Sequence, residues 1–563
     1  MEANLELLGL LALHLLLTAL PAVAATLLAS RAGLRSVPLL LGVALAASGA
    51  VAILSFWLFY ANPTLGETGS FFFVFAAAGA IAWSWRQGID REVLGGLATP
   101  FALWALASAF VLFLGFAHGG TGEPLTTASI RFSHQLPSDN DIPRFFADYF
   151  YLHGHQGTPP PFGDWLSSDR PPLQVGYVLA QRPFGWDEAG LQYEVLGVVV
   201  QQLWILGLWG LFCAARLTPQ TRGLVALAAV VSDLGIVHAF FVWPKLIAAA
   251  FLLAALALVL SEDWSRLRRR PWAGALFAAL CALAFLAHGS SAFFVLPLLL
   301  AAAWRGLPSW SWIGVALAVG IVLLAPWSAY QRYADPPGDR LIKWQLGGSL
   351  ELDERGALET ITDSYRAAGL GGTARNKWGN ITQMVGAGDV DRAVHEAVDQ
   401  VGEGNPGKAL IALRLPRFYD VLPFLGLLLI GPLAMAVAWL RRRRPRGPDW
   451  DFALFGIAFS ALACLVWALL MFGGPDSKAV IHQGSLAVPL LALCACVTGA
   501  CAVDRRLGLG LVVANVALVL FLYVPAVGAV PGTSYSIAAS FLAAVSLAGI
   551  AFLTLRPTFR DGA

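Results

Sequence analysis

Residues 37–61 read VPLLLGVALAASGAVAILSFWLFYA, a run that contains no charged side chain. About 20 apolar residues in a helix cross a hydrocarbon layer of roughly 30 Å, so this run predicts a membrane-spanning helix. With 58% hydrophobic and only 13% charged residues, the 563-residue chain is too apolar for one globular core. About fifteen runs of this kind occur, centred near residues 18, 49, 78, 107, 202, 232, 255, 280, 298, 319, 428, 461, 493, 516 and 546. The sequence therefore predicts an all-α, polytopic membrane protein of about 15 transmembrane helices, within a range of roughly 13 to 15.

The connecting segments carry their arginines in alternation along the chain. The clusters that fall on one side are Arg31/Arg35, Arg86/Arg91, Arg216/Arg222, Arg266/Arg268/Arg269/Arg270, Arg305, Arg441 to Arg444 with Arg446, Arg505/Arg506 and Arg556/Arg560. Basic loops stay in the cytoplasm, which places the N-terminus and two long polar segments, 118–189 and about 330–416, on the outer side. No basic segment precedes the first run, so we expect a true span and not a cleaved signal peptide.

The overall composition narrows the class of protein further. The net charge of +2 gives no support to nucleic-acid binding. The preference for Arg over Lys, with abundant Ala, is typical of a bacterium of high genomic GC content, which predicts an inner (cytoplasmic) membrane location with outer loops facing the periplasm or exterior. All cysteines lie in or beside apolar runs, where thiols pack as small apolar groups, and they are Cys213, Cys281, Cys464, Cys494, Cys496 and Cys501.

The distribution of polar segments predicts four regions. Residues 1–117 form a set of N-terminal transmembrane helices, and residues 118–345 form a membrane module that begins with the first outer loop, 118–189. Residues 346–416 form a second outer loop with helical patterns, and residues 417–563 form the C-terminal transmembrane helices. Each outer loop region is expected to contain helices that lie beside the membrane.

The first outer loop contains an acidic stretch followed by an amphipathic pattern. Asp139 and Asp141 precede residues 142–151, whose apolar positions recur with helical spacing. Pro143 suits the first turn of that helix, which would lie on the membrane surface with its aromatic face down. Two interpretations stay open: either Asp141 caps the helix and Asp139 is solvated, or the carboxylates are catalytic.

The same loop ends in Gly163-Asp-Trp-Leu-Ser-Ser-Asp169-Arg170-Pro171-Pro172-Leu173. The two prolines fix an extended backbone, so Asp169 and Arg170 are aimed in a defined direction. The alternative is a surface ion pair at the end of a loop. Trp165 and Tyr177 suit the membrane interface.

Isolated polar residues mark the outer ends of later spans. Lys245 follows Trp243-Pro244 and is a candidate phosphate contact, with snorkelling to the surface as the alternative. His288 is a candidate substrate contact or a hydrogen-bonded packing residue. Lys478 and His482 belong to a further polar cluster near the last outer loop.

Together these elements resemble the GT-C superfamily of glycosyltransferases. The resemblance rests on Asp139-Asn140-Asp141, on 163–166 followed by Arg170-Pro171-Pro172-Leu173, and on Ala325-Pro326-Trp327 with Tyr330. It covers about residues 135–345 and is similar to the aminoarabinose and protein mannosyltransferase group. Two departures are the roughly four spans that precede the acidic loop and the absence of the family's Arg-Tyr element after the acidic pair.

The resemblance implies transfer of a sugar, with inversion, from a polyprenyl-phosphate donor to a glycan, lipid or protein acceptor. It implies Asp139 or Asp141 as general base and cations that neutralise the departing phosphate, namely Arg170, Lys245 and Arg332. Further substrate contacts would come from Asp169, His288, Lys478 and His482. No cofactor or metal is implied for monophosphate donors; a divalent ion held by Asp139 and Asp141 is the alternative.

Two competing functions remain. A lipid or polysaccharide transporter or flippase would place polar residues along a path through the membrane. An O-antigen polymerase or ligase would also use lipid-linked sugar on the outer side. The concentration of polar residues at the outer ends of the spans favours surface catalysis.

Overall fold

The described part of the polypeptide is predominantly helical. The computed structural model describes residues 2–132, 136–186, 190–352, 354–414, 425–442, 445–473, 486–525 and 535–560. Apart from one isolated bridge between Phe162 and Trp165, these ranges contain no β-structure. The predicted all-α class is therefore confirmed for the described residues.

The N-terminal region begins with four long helices: α1 Glu2–Arg31, α2 Val37–Ala61, α3 Pro63–Arg86 and α4 Arg91–Gly115. Side chains at the turns fix where these helices begin. Asn62 accepts hydrogen bonds from the backbone N–H groups of Thr64 (2.9 Å) and Leu65 (3.2 Å), and Pro63 supplies the preferred first residue of α3. Asp90 caps α4 in the same way.

The central region consists of shorter helices, several separated by one or two residues. They are α5 Pro124–Ile130, α6 Ile142–His153, α7 Leu173–Gln181, α8 Gly190–Gln201, α9 Trp204–Ala214, α10 Pro219–Val230, α11 Asp233–Phe240, α12 Lys245–Leu260, α13 Trp264–Leu267, α14 Pro271–Ala287, α15 Ala292–Trp304, α16 Trp310–Ala329 and α17 Arg340–Gly347.

The remaining helices form the second outer segment and the C-terminal region. They are α18 Ala357–Met384, α19 Ala387–Gly402, α20 Pro406–Arg414, α21 Ile430–Leu440, α22 Pro448–Leu470, α23 Ala487–Val503, α24 Arg505–Tyr523 and α25 Ile537–Arg560. Gly369 (φ 59°) kinks α18.

Nine helices within the described ranges are long and apolar enough to cross a membrane, and the pair α10–α11, bent by 47°, forms a tenth candidate. Five further apolar helices have 10–17 residues, fewer than the roughly 20 that a perpendicular crossing needs. The chain is thus a polytopic, helical membrane protein. Most predicted centres of the apolar runs fall within these helices, whereas those near 202, 232 and 428 fall at breaks or turns beside them. Nine or ten candidates in the described part of the chain meet the full length and composition of a span.

Helix α7 inserts among the N-terminal helices. A Cβ at Gly176 would lie 2.2 Å from the carbonyl oxygen of Ala52, so α7 and α2 approach as closely as glycine permits. Tyr177 is buried, and its hydroxyl lies 3.0 Å from Ser48 Oγ. The expected interface position of Tyr177 is therefore wrong, because α2 covers its ring.

Polar side chains also join α1 to the end of α7. His14 Nδ1 lies 2.8 Å from Gln181 Oε1, and Gln181 Nε2 donates to Thr18 Oγ1 at 3.0 Å. All three residues are buried. Residues 1–117 consequently pack directly against the helix that follows Arg170.

The amphipathic helix predicted after Asp141 is confirmed as α6, with Pro143 in its first turn. Its apolar face contacts protein and not lipid, since Ile142, Phe146 and Phe150 are buried. Phe150 packs edge-on against Phe56 of α2, with ring centroids 5.4 Å apart. The expected aromatic face against the membrane is replaced by packing on the N-terminal helices.

Arg131 joins two distant helix ends. Its buried guanidinium donates to the carbonyl oxygens of Leu114 and Gly115 (both 3.2 Å) at the end of α4. It also donates to those of Tyr523 (2.8 Å) and Pro525 (3.2 Å) at the end of α24. The last carbonyls of a helix lack intrahelical partners and carry partial negative charge, which a cation satisfies.

The second outer segment is held to the end of α22. Lys377 Nζ donates to the carbonyl oxygen of Met471 and to the hydroxyl of Tyr365 (2.7 Å). Asn380 Nδ2 donates to the carbonyl oxygens of Ala468 and Met471 at 3.0 Å. Helix α18 thus caps α22, and partial burial lowers the pKa of Lys377 to about 8.

Candidate functional site

Two ends of the first outer loop meet at an ion pair. Asp139 lies in the short 3-10 turn Ser138–Asn140, and Arg170 follows a second 3-10 turn, Ser167–Asp169. Arg170 Nη2 donates to Asp139 Oδ2 at 3.1 Å, and the two side chains are only 15% and 20% exposed. Burial, the largest effect, lowers the pKa of Arg170, and the carboxylate of Asp139 opposes that shift. The guanidinium remains charged at neutral pH because its ordinary pKa is so high.

This ion pair lines a narrow cleft that is partly open to solvent and has about 30 Å³ of free space. Residues from five segments of the chain form its walls: Asp139, Ile142, Pro143, Arg170, Pro171, Gln174, Val175, Trp243, Pro244, Ala287, His288, Gly289, Leu341, Trp344 and Gln345. The predicted candidates Asp139, Arg170 and His288 therefore share one cavity. Its remaining surface is largely aromatic and aliphatic.

Lys245 lies beside this cleft at the start of α12. Its Nζ is 3.5 Å from the ring centroid of Trp243, which lines the cleft. Asp139 and Arg170 are both within electrostatic range of the ammonium group, as is His288. Lys245 is fully buried, so the alternative of a side chain snorkelling to the surface is wrong.

The backbone before Lys245 is held in an unusual conformation. Val242 has φ of 50°, a region that β-branched residues rarely occupy. Gln174 Nε2 donates to the carbonyl oxygen of Val242 at 2.7 Å, while Gln201 Oε1 accepts from the N–H groups of Leu246 (3.1 Å) and Ile247 (3.2 Å). These bonds fix the break between α11 and α12 from which Lys245 projects.

Asp169 does not line the cleft and instead forms a buried ion pair. Arg340 Nη1 lies 3.4 Å from Asp169 Oδ2, with the side chains 6% and 0% exposed. Burial raises the pKa of Asp169, and the backbone N–H of Leu166, which donates to Oδ2 at 3.0 Å, opposes that shift together with Arg340. The interpretation of Asp169 and Arg170 as one surface ion pair is therefore wrong, because each has a different partner.

Trp165 connects the two pairs. The guanidinium carbons of Arg170 and Arg340 lie 4.1 Å and 4.7 Å from its ring centroid. Cation–π contacts of this kind gain strength when water is excluded. The indole thereby holds Arg170 beside Asp139.

The backbone before Arg170 is fixed by residues from the end of α16 and the turn after it. Ser167 Oγ donates to Asp335 Oδ2 at 2.6 Å and lies 2.5 Å from the hydroxyl oxygen of Tyr330. The N–H of Ser168 also donates to Asp335 Oδ2, at 3.0 Å. Gln331 Nε2 donates to the carbonyl oxygen of Ser168 at 2.9 Å. Both outer segments are therefore joined directly behind the cleft.

Asp141 takes part in a separate network. Its carboxylate accepts two bonds from Arg144, at 2.6 Å and 3.0 Å, and makes no capping bond to α6. The capping interpretation is therefore wrong. Arg144 also lies 3.4 Å from Asp148, which pairs with Arg182 at 2.9 Å. Burial is the main cause that raises the pKa of Asp148.

The other predicted contacts are not brought to the cleft. Arg332 is exposed, with its guanidinium carbon 5.9 Å from the ring centroid of Tyr333, itself 80% exposed. Lys478 and His482 lie outside the described residues. Of the predicted set, the structure thus groups Asp139, Arg170, Lys245 and His288.

Three contributors were not predicted from sequence, namely Arg340, Asp335 and Trp344. Arg340 and Trp344 lie on α17. In the sequence, this helix is indicated only by Asp339, which precedes its first turn, and by the apolar pattern that follows that turn. Asp335 precedes Pro336-Pro337, the same order of acidic residue and prolines as in the first loop. That repetition is the signal that could have identified Asp335.

The helices and their apolar character define a polytopic membrane protein with a charged cleft. Comparison of the chain with protein-family models, curated proteins and solved structures finds no match. Among the described residues, no three His, Cys, Asp or Glu side chains gather in a group that could hold a metal ion. The function is therefore argued from the cleft.

Proposed function

We propose that this protein is an integral-membrane glycosyltransferase that moves a sugar from a polyprenyl-phosphate donor to an acceptor on the outer face of the membrane. The observation that carries the proposal is the grouping of one carboxylate, Asp139, with Arg170, Lys245 and His288 around a cleft. A base beside fixed cations is what such a transfer requires. The GT-C resemblance of the sequence leads to the same reaction.

The cations suit a leaving phosphate. Arg170 offers a planar guanidinium for phosphate oxygens, and the buried amino group of Lys245 lies in a setting with little water, where a bound phosphate would favour its charged form. Charge on the phosphate grows as the bond between the sugar C1 and the phosphate oxygen breaks. Fixed cations stabilise that developing charge more in a dry cleft than in water.

Asp139 is the general base of this proposal. The acceptor hydroxyl or amine attacks C1 from the face opposite the phosphate, its proton passes to Asp139, and polyprenyl phosphate leaves with the bonding electrons. Inversion follows from the single displacement. In the present state Arg170 donates to Asp139, and a donor phosphate that attracts Arg170 would release the carboxylate to accept the proton.

An apolar groove supports a lipid-linked donor. It has about 460 Å³ of free space between α18, α21, α22 and α23, and Met384, Leu429 and Ala468 lie on its walls. Four residues beyond Ala468, the N–H of Phe472 donates to the carbonyl oxygen of Gln345 at 2.8 Å. Gln345 lines the charged cleft, so the backbone just beyond α22 contacts a residue of the cleft wall.

The proposal includes a topology of about 15 crossings, with the five shorter apolar helices as spans in a locally thinned bilayer. The cleft then faces the periplasm or exterior of a bacterial inner membrane, as the arginine-rich loops indicate. The acceptor class is a glycan, a lipid or a protein. We propose no cofactor; a divalent ion at Asp139 is an outcome of the test below.

The test is transfer of radiolabelled sugar from a panel of polyprenyl-monophosphate sugars by the purified full chain, with and without EDTA. Transfer that depends on Asp139 would support the proposal, and loss of transfer in EDTA would add a metal. Movement of labelled lipid across vesicle membranes, without transfer, would replace it with the transporter function. Polymer formation from lipid-linked oligosaccharide would favour a polymerase or ligase.

A further inference from the structure

A second charged cavity lies at the opposite ends of the helices from the proposed active site. It has about 520 Å³ of free space and is lined by Ala29, Ala32, Gly33, Leu34, Val43, Arg266, Arg270, Trp272 and Leu276. These residues come from the end of α1 and the turn after it, from the first two turns of α2 and α14, and from α13 and the turn after it. Gly33 and Ala32 are exposed, so the cavity opens outward from the helix bundle.

The mouth of this cavity is cationic. Arg266 and Arg270 line it and are exposed, and Arg266 has one neighbouring acid, Asp263, at 3.4 Å. Arg270 makes no ion pair within the described residues. Nearby Arg268 has a structural role instead, because its Nη1 donates to the carbonyl oxygen of Leu307 at 2.6 Å.

Arg31, at the end of α1, is likewise engaged elsewhere. Its Nη2 donates to the carbonyl oxygens of Ser84 (2.9 Å) and Gly88 (2.8 Å). The guanidinium carbon also lies 5.1 Å from the ring centroid of Trp83. The positive charge that faces the cavity therefore comes from Arg266 and Arg270.

The walls beneath the mouth are apolar. Val43 and Leu276 lie six residues beyond Val37 and five beyond Pro271, about 8–9 Å along each helix. Trp272, 46% exposed, lines the same cavity as the arginines and these aliphatic side chains. Tryptophan at such a boundary is typical of the membrane interface.

We propose that this cavity binds a phospholipid with an anionic headgroup. The phosphate lies between Arg266 and Arg270, and one acyl chain follows the apolar wall formed by α2 and α14. A free anion would gain nothing from that wall. A zwitterionic lipid would bring a cationic headgroup that offsets the attraction of its phosphate to the two guanidiniums. Basic pockets between membrane helices bind anionic headgroups for this reason. The inference does not depend on the proposed transferase activity.

The experiment is native mass spectrometry of the purified full chain with added phosphatidylglycerol or phosphatidylcholine. We expect the wild type to retain phosphatidylglycerol preferentially. The double variant Arg266→Gln/Arg270→Gln should bind it about fivefold more weakly for each guanidinium removed, roughly 25-fold in all. The variant Arg266→Lys/Arg270→Lys keeps the charge and should recover much of the binding.

The matched control is Arg441→Gln/Arg442→Gln, which removes an exposed arginine pair after α21. Unchanged phosphatidylglycerol binding in this control supports the site, whereas an equal loss means that the lipid senses net charge and overturns it. Equal retention of both lipids by the wild type also overturns it. If Arg266→Gln/Arg270→Gln does not fold, the variant Val43→Trp, which fills the apolar wall, must lower retention instead.

Discussion

Arg170 Nη2 lies 3.1 Å from Asp139 Oδ2 across 31 residues of the first outer loop. This bond closes the loop into one unit, and Trp165 supports it from the side. In the proposed reaction it also keeps the base paired until a phosphate arrives. Asp139 and Arg170 are thus functionally linked. A substitution at either residue should affect both phosphate binding and proton transfer.

Asp139→Asn should lower the turnover number by about 10²–10⁴-fold, the usual contribution of a general base. Asp141→Asn is the matched control: its carboxylate pairs with Arg144 and does not line the cleft, so we expect nearly normal turnover. Steady-state transfer with saturating donor measures both. Normal turnover in Asp139→Asn, or a large loss in Asp141→Asn alone, would contradict the assignment.

Lys245→Met should weaken binding of polyprenyl phosphate by about one to two orders of magnitude, because a charge-assisted bond to phosphate is lost. The methionine keeps most of the apolar stem against Trp243. Arg332→Gln removes an exposed cation away from the cleft and should leave affinity unchanged. Equilibrium binding of labelled polyprenyl phosphate distinguishes the two, and equal affinities in all three proteins would remove Lys245 from the site.

Arg340→Met should destabilise the protein by about 3–5 kcal/mol, since it leaves the buried carboxylate of Asp169 without its cation. The double variant Asp169→Asn/Arg340→Met removes both charges and should recover part of the loss. Chemical unfolding in detergent gives the four free energies of the cycle. Additive effects of the two single changes would mean that the pair contributes little coupling.

Gly176→Ala should lower thermal stability by several degrees, because the added Cβ would lie 2.2 Å from the carbonyl oxygen of Ala52. The control is Gly314→Ala on α16, where a Cβ meets no atom within 4 Å. Thermal unfolding followed by tryptophan fluorescence compares them. An unaltered midpoint for Gly176→Ala would show that α2 and α7 can separate.

The lowered pKa of Lys377 predicts that the stability of the protein depends on pH in a specific range. Its folded pKa is about 8 against an ordinary value of 10.5, so between these pH values the unfolded chain binds more protons than the folded one. Stability contributed by this group therefore rises with pH from about 8 to about 10.5. The thermal midpoint of the wild type should rise relative to that of Lys377→Met between pH 8 and 10. Parallel curves for the two proteins would contradict the shift.

Local sequence patterns predicted the parts of the fold that depend on near neighbours. The apolar runs predicted the helices, and Pro143 after Asp141 predicted the start of α6. The same pattern did not distinguish lipid from protein as the partner of that helix's aromatic face. Both surfaces are apolar, so periodicity alone carries no such information.

The sequence predicted only part of the candidate site, because local patterns do not identify partners that are distant along the chain. Asp139, Arg170, Lys245 and His288 were identified as polar residues at the outer ends of apolar runs, which restricts them to one face. The pairing of Asp169 with Arg340 spans 171 residues, and no local pattern encodes a partner at that distance. The partner of Asp141 was only three residues away, and the i,i+3 spacing to Arg144 could have identified it.

Arg131 also constrains the order in which the chain can assemble. Its two acceptors on α4 exist early in synthesis, but those at Tyr523 and Pro525 are made 392 and 394 residues later. Until then the guanidinium of Arg131 has only two of its four carbonyl acceptors. The N-terminal helices therefore reach their final stability only after α24 has been inserted. A chain whose synthesis stops earlier would lack the hydrogen bonds that join Arg131 to the end of α24.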